Sequence, residues 1–248
     1  MARLGIRRTA ACVANFLLLI GALGAVSARA DEAVGKITHL AGLLSALRPD
    51  GQTRLLGVQS PVSKGDVLST EANAYARIKF VDNSEVVLRP NSQLKIDDFN
   101  FSPAEPEKDG IALSMFKGGL RAVSGLVGKR NPESVRFGTP TATIGIRGTH
   151  FGALFCQSDC AGVSVAGGGT PSNGLHVDVV DGSISVSNAA GSVVLSTGQF
   201  GFVPSVSAPP TIVPSATGMR ITLPSNITRN AAGGRSVGSG LAADCVAQ

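Results

Sequence analysis

Between Ser134 and Phe151 the chain reads S-V-R-F-G-T-P-T-A-T-I-G-I-R-G-T-H-F, and hardly a residue in it suits a helix. Val135 and Phe137 alternate with polar neighbours, and glycines recur at fixed points. The pattern predicts strand, tight bend, strand, because glycine alone takes φ > 0 at little cost. The whole sequence carries 31 Gly and 13 Pro, no Trp and a single Tyr, which favours many short strands joined by turns over a helical bundle. None of the side chains in the stretch forms an obvious nucleophile, general base or metal-ligand set.

The same grammar runs through the rest of the chain. Gly35 to Leu40 and Leu43 to Leu47 flank Gly42, and Pro49-Asp50-Gly51 and Lys64-Gly65-Asp66 are strong turns. Ala74, Ala76, Ile78 and Phe80 share one face of an alternating segment; Val86/Leu88 and Leu94/Ile96 repeat it after the turns at Asp82-Asn83-Ser84 and Pro90-Asn91. Ile111 to Ser124 reads as a hairpin with a bulge around Gly118-Gly119, and Gly125 to Pro132 as a basic loop. Phe151, Ala153 and Phe155 share a face, and further alternation follows at Leu175–Val179, Ile184/Val186 and Val193/Leu195. The predicted fold is all-β, a β-solenoid or sandwich-like stack of short strands over residues 31–203. Residues 204–248, rich in Pro, Ser, Gly and Ala, read as a mostly disordered tail with one weak strand at Ile221-Thr222-Leu223.

Residues 1–30 read as an export signal. Arg3, Arg7 and Arg8 precede an apolar run from Ala10 to Val26, and Ala28-Arg29-Ala30 supplies a small-x-small cleavage pattern. The alternative is an uncleaved membrane anchor. Either reading puts the remaining domain outside the cytoplasm, periplasmic or secreted. Four of the 22 basic residues lie in the leader, so the other 18 face 17 acidic ones. A chain this close to neutral has no general attraction for nucleic acid. An oxidising compartment permits a Cys156–Cys160 bridge; a redox or metal pair is the alternative, and no second Cys or His pair has the spacing for a metal. Cys245 is left over in the tail.

Four pieces of this sequence, in order, resemble a FecR domain, the extracytoplasmic module named after the bacterial ferric-citrate signalling regulator. They are the strand pair at Gly35–Gly51, the run Lys64-Gly65-Asp66-Val67-Leu68-Ser69-Thr70, the segment Ala76 to Leu94 with Phe80-x-Asp82-x-Ser84 and Leu88-x-Pro90-x-Ser92-x-Leu94, and Thr139-Pro140-Thr141-Ala142 with Ile146-Arg147-Gly148-Thr149-x-Phe151. A closing element, Val179-x-Asp181-Gly182-x-Ile184 then Gly198-Gln199, extends the likeness to about Val203. The resemblance implies an all-β module that works outside the cytoplasm by contact rather than catalysis. Signalling members of the family resemble one another in having a cytoplasmic helical anti-sigma region. Here only about nine residues precede the apolar run, too few to fold.

The motif residues Gly65, Asp66, Thr139, Pro140, Arg147, Gly148 and Thr149 are expected to be structural. Arg147 is the one to watch, a guanidinium clamp between strand turns with Asp66 as the expected partner, the alternative being a ligand-carboxylate role. Lys117, Arg121, Lys129, Arg130, Arg136 and Arg147 face only Glu133 between Gly110 and Arg147. The first five form a candidate basic patch, the alternative being a solvated loop. His39, His150 and His176 are isolated, Asp97-Asp98 point to opposite faces of a strand, and Gly234 to Gly238 matches a nucleophile elbow without its strand–turn–helix context. The expected function is non-enzymatic, without cofactor: a binding or sensor module for an envelope protein or glycan, touching membrane only through an uncleaved leader. A component of an iron-uptake type of signalling system, acting through a separate membrane regulator, is the second reading, and a glycan-active enzyme the third.

Overall fold

A computed structural model describes residues 32–160, 163, 165, 169–224 and 227. The expected leader, residues 234–238 and Cys245 lie outside them. The strands are β1 (Ala33–Ala41), β2 (Leu44–Leu47), β3 (Thr53–Leu56), β4 (Pro61–Ser63), β5 (Val67–Thr70), β6 (Tyr75–Phe80), β7 (Glu85–Leu88), β8 (Gln93–Asn100), β9 (Gly110–Val123), β10 (Val135–Gly138), β11 (Thr143–Cys156), β12 (Gly174–Asn188), β13 (Gly191–Ser196), β14 (Phe200–Val203) and β15 (Thr211–Val213), with a short helix α1 (Leu126–Arg130). All belong to one hydrogen-bonded network, antiparallel except where β10 runs parallel to β9. The all-β expectation holds.

Three long strands bend that network back on itself. The first half of β9 lies between β8 and β10, while its second half lies between β7 and β11. In the same way β11 and β12 each spend one half in either neighbourhood. A front layer therefore runs β3-β2-β5-β8-β9-β10-β11-β12-β13, and a back layer β4-β1-β6-β7-β9-β11-β12-β14-β15. This is the sandwich-like alternative rather than a rung-by-rung coil. Stacked Phe80 and Phe99 (centroids 5.0 Å apart) and edge-on Phe137 and Phe151 (5.4 Å) join the layers across a single core.

Glycine makes the bends. Gly118 has φ +75°, and a Cβ there would stand 2.6 Å from Ser92 Cα. Gly148 has φ +60° at the corresponding corner of β11. These positions explain one departure from expectation. Ile111 to Ser124 is not a hairpin but one continuous strand turning a corner, because both flanks of β9 find partners on each side of Gly118. The basic loop after it contains α1, whose first N–H groups are held by buried Asp82: Leu126 N–H donates to the Asp82 main-chain oxygen (2.8 Å) and Val127 N–H to its Oδ2 (3.3 Å). Packing also continues beyond the expected boundary at Val203. β15 pairs with β14, and Met219 and Ile221 are buried. Ile221-Thr222-Leu223 forms no strand.

The family-like motifs prove to be corner chemistry. Asp66 Oδ2 accepts the Ser63 N–H at 2.9 Å and lies 3.8 Å from Arg54 Nη2. Thr139 closes its turn through Ala142, accepting that N–H (3.1 Å) and donating its hydroxyl to the carbonyl (2.7 Å). Pro140 sits exposed in the same turn. Thr149 is buried and donates its hydroxyl to Ser183 O at 2.5 Å, tying the corner of β11 to that of β12.

Candidate functional site

The expected Arg147–Asp66 clamp does not form. Arg147 points outward, its side chain 69% exposed, and pairs with equally exposed Glu133 at 2.7 Å. Alternation along β11 sends Ile146 into the core and Arg147 to solvent, while Asp66 is sealed inside its own turn. Arg147→Ala should therefore leave the unfolding free energy, read by urea denaturation, within about 0.5 kcal/mol of wild type.

What Arg147 does is line a shallow groove of about 190 Å³ on the outer face of the front layer, with Arg136, Glu133, Thr143, Gly145 and Ser185. Register builds it: Arg136 on β10 lies opposite Gly145 on β11, which lies opposite Ser185 on β12. Gly145 leaves the floor bare, since a Cβ there would stand 2.5 Å from Ser185 Oγ. Two guanidinium groups and hydroxyls over a bare floor suit an acidic or hydroxyl-rich partner.

The expected basic patch divides. Lys117, Lys129 and Arg136 are exposed. Arg130 is exposed as well but tied to its neighbours, donating Nε to Asp109 Oδ2 (2.7 Å) and Nη2 to Ser102 O (2.7 Å), with its guanidinium over Phe101. Arg121 is not on the surface at all. It is 2% exposed, on the outward side of β9 but beneath chain segment 219–224. Its Nη2 donates to Asp178 Oδ2 (2.8 Å) and Oδ1 (3.2 Å), its Nε donates to Ile221 O (2.8 Å), and Nη1 donates to His150 Nε2 (3.3 Å). Sequence reading missed this cluster because its members lie far apart along the chain. Only their outward positions on adjacent strands could have hinted at it.

Burial shapes its electrostatics. Desolvation raises the Asp178 carboxyl above the ordinary carboxylate range, opposed by Arg121 and by the Ile221 N–H. Desolvation, reinforced by the Arg121 charge and opposed by Asp181, pulls His150 down from 6.5 to about 4. An unfolded chain thus takes a proton on His150 as pH falls through 6.5, whereas the folded one resists until about 4. The stability that depends on neutral His150 is complete above pH 6.5 and declines between 6.5 and 4. Denaturation across that window should show wild type losing more stability than His150→Phe; parallel profiles would contradict it.

His176 Nε2 donates to Ser172 O (2.8 Å) and its ring packs on Phe202, so it forms no couple with Asp178. Cys156 and Cys160 are joined as a disulfide with Cα atoms 5.5 Å apart. Among the described residues no group of three or more His, Cys, Asp or Glu is placed to hold a metal.

Residues 66–185 match the family described as FecR protein. No curated protein matches the chain. Two solved structures of a putative anti-sigma factor from Parabacteroides distasonis ATCC 8503 are similar at 14% and 15% identity, with TM-scores of 0.45 and 0.43. Each likeness covers 59% of this chain and 58% of the other, so the chain spans under two thirds of those proteins. A structure titled cell surface anchoring domain is similar over 25% of this chain and 82% of its own, at 32% identity and a TM-score of 0.25. The matched stretch takes in Asp66, the Thr139-Pro140 turn, the β11 corner and most of both layers, and the segment from Asp66 to Ser185 is a FecR domain.

Proposed function

We propose that the protein is an exported, non-catalytic recognition module, periplasmic or secreted, that contacts an envelope protein or glycan and forms the sensing part of a signalling system. The observation that carries this reading is the open groove on the FecR domain. Arg136 and Arg147 stand there in solvent, with Glu133 as the nearby acid, while Arg121 and Asp178 are buried against each other on the opposite layer. The family match favours a signalling output over a purely structural one.

Crosslinking in intact cells, followed by capture of the full chain, tests the reading. Wild type should recover a specific envelope partner, and the Arg136→Glu/Arg147→Glu double variant should recover at least tenfold less. Equal recovery would remove the groove from the proposal. The mature N-terminus, read by mass spectrometry, should lie near Asp31; one still at Met1 would argue for an anchor.

A further inference from the structure

The outer face of the back layer holds a second and unrelated feature. Residues 219–224 cross it as an extended segment outside any strand. Met219 and Ile221 are buried and Leu223 is half-buried, while Arg220 and Thr222 between them are exposed. That alternation is how an extended peptide presents itself to a groove.

The groove is built for it. Asp178 Oδ1 accepts the Ile221 N–H (3.3 Å), and Arg121 donates to the Ile221 carbonyl (2.8 Å). Arg89 Nη1 donates to the next carbonyl, Thr222 O, at 2.5 Å. These bonds engage main-chain atoms alone, so they hold any residue. Selectivity comes from the side-chain seats. Ile221 is fully buried beside Gly152, where a Cβ would stand 2.9 Å from the Ile221 Cβ and 2.3 Å from Asp178 Oδ1. Met219 joins Leu154 and the Cys156–Cys160 bridge, and Leu223 joins Val87 and Tyr75. A buried, charged pair aimed at the N–H and carbonyl of one residue, with apolar seats on both sides, is a peptide-recognition site that the chain fills with its own segment.

We propose that this groove binds, in trans, an extended segment of another protein with apolar residues at three alternate positions and uncharged or basic residues between them, displacing residues 219–224. The resident segment can leave because side chains hold it; no β-ladder has to break. A second copy's tail is the less suitable occupant. It is tethered directly after β15 by a turn in which Pro214 O accepts the Thr217 and Gly218 N–H groups, with Gly218 pressed against Phe200, so its reach is short.

The test uses the full chain and a fluorescent peptide, Gly-Met-Arg-Ile-Thr-Leu-Pro-Ser-Asn-Ile, copied from residues 218–227. In wild type the tethered segment competes at an effective concentration of roughly millimolar. Ile221→Asp should vacate the groove and bind the peptide at least tenfold more tightly than wild type, and a peptide with Asp in place of its first Ile should not bind. No binding to a variant that still unfolds cooperatively would overturn the proposal, as would equal binding to wild type and variant. Should Ile221→Asp not fold, a protease site placed in the exposed 214–217 turn of the otherwise wild-type chain allows cutting after folding. The labelled peptide should then replace the released segment, and failure to exchange overturns the proposal. Concentration-dependent dimers of wild type that Ile221→Asp abolishes would assign the groove to a second copy and overturn the choice of partner.

Discussion

Asp178→Ala should lower the unfolding free energy by about 3–5 kcal/mol, among the largest effects of any single substitution in this protein. The carboxylate is 2% exposed, and its removal leaves Arg121, itself only 3% exposed at the side chain, as a buried cation without its counter-charge. The Ile221 N–H loses its acceptor at the same time. Bringing two charges together in a low-dielectric site gains little over an apolar pair of the same volume; breaking one is what costs. Arg121→Met/Asp178→Leu should therefore recover most of the lost stability in urea. Protection of the Ile221 amide should not return, because neither replacement can bind the 219–224 main chain. Hydrogen exchange at that amide separates the two roles. A single variant as stable as wild type would mean that water or the segment itself solvates Arg121.

Phe151→Ala should cost a similar amount, about 3–5 kcal/mol, for a different reason. Phe151 is completely buried on the back-layer half of β11 and meets Phe137 of the front layer edge-on at 5.4 Å. Truncation removes apolar burial and leaves a cavity between two layers that bent strands hold at a fixed spacing, so collapse around it is restricted. Phe151→Leu keeps much of the volume and should cost less than half as much. Urea denaturation gives both values. An unchanged slope with a lower midpoint would place the effect in packing rather than in a change of fold. A near-neutral Phe151→Ala would show that the layers close up on each other, contrary to a spacing set by the corners.

Both effects belong to features that the linear chain displays unequally. Phe151 could be assigned to the core from its alternation with Gly152, Ala153 and Phe155, because a strand's inward face is a two-residue rhythm that any stretch carries by itself. Arg121 obeys the same rhythm, which sends it outward between Leu120 and Ala122, as a place in the candidate basic patch would require. Outward did not mean exposed. A segment 100 residues later covers it, and no local pattern carries that information.

Arg147 went wrong in the opposite direction. It was expected in a clamp with Asp66, yet it faces water beside Glu133. The corners show the same division. Glycines at 118 and 148 announced that the chain turns, but whether a turn doubles a strand back or carries it into the facing layer depends on which neighbours wait there. Composition, alternation and glycine spacing thus determined the class of fold and the inward residues, since each rests on local backbone preference and on burial of one strand face, while the ordered motifs carried the likeness to a FecR domain. The two-layer closure, the buried Arg121–Asp178 pair with its seated segment, and the groove at Arg136 and Arg147 were decided only by tertiary structure. Each consists of contacts between strands whose partners are set by the whole sheet's register.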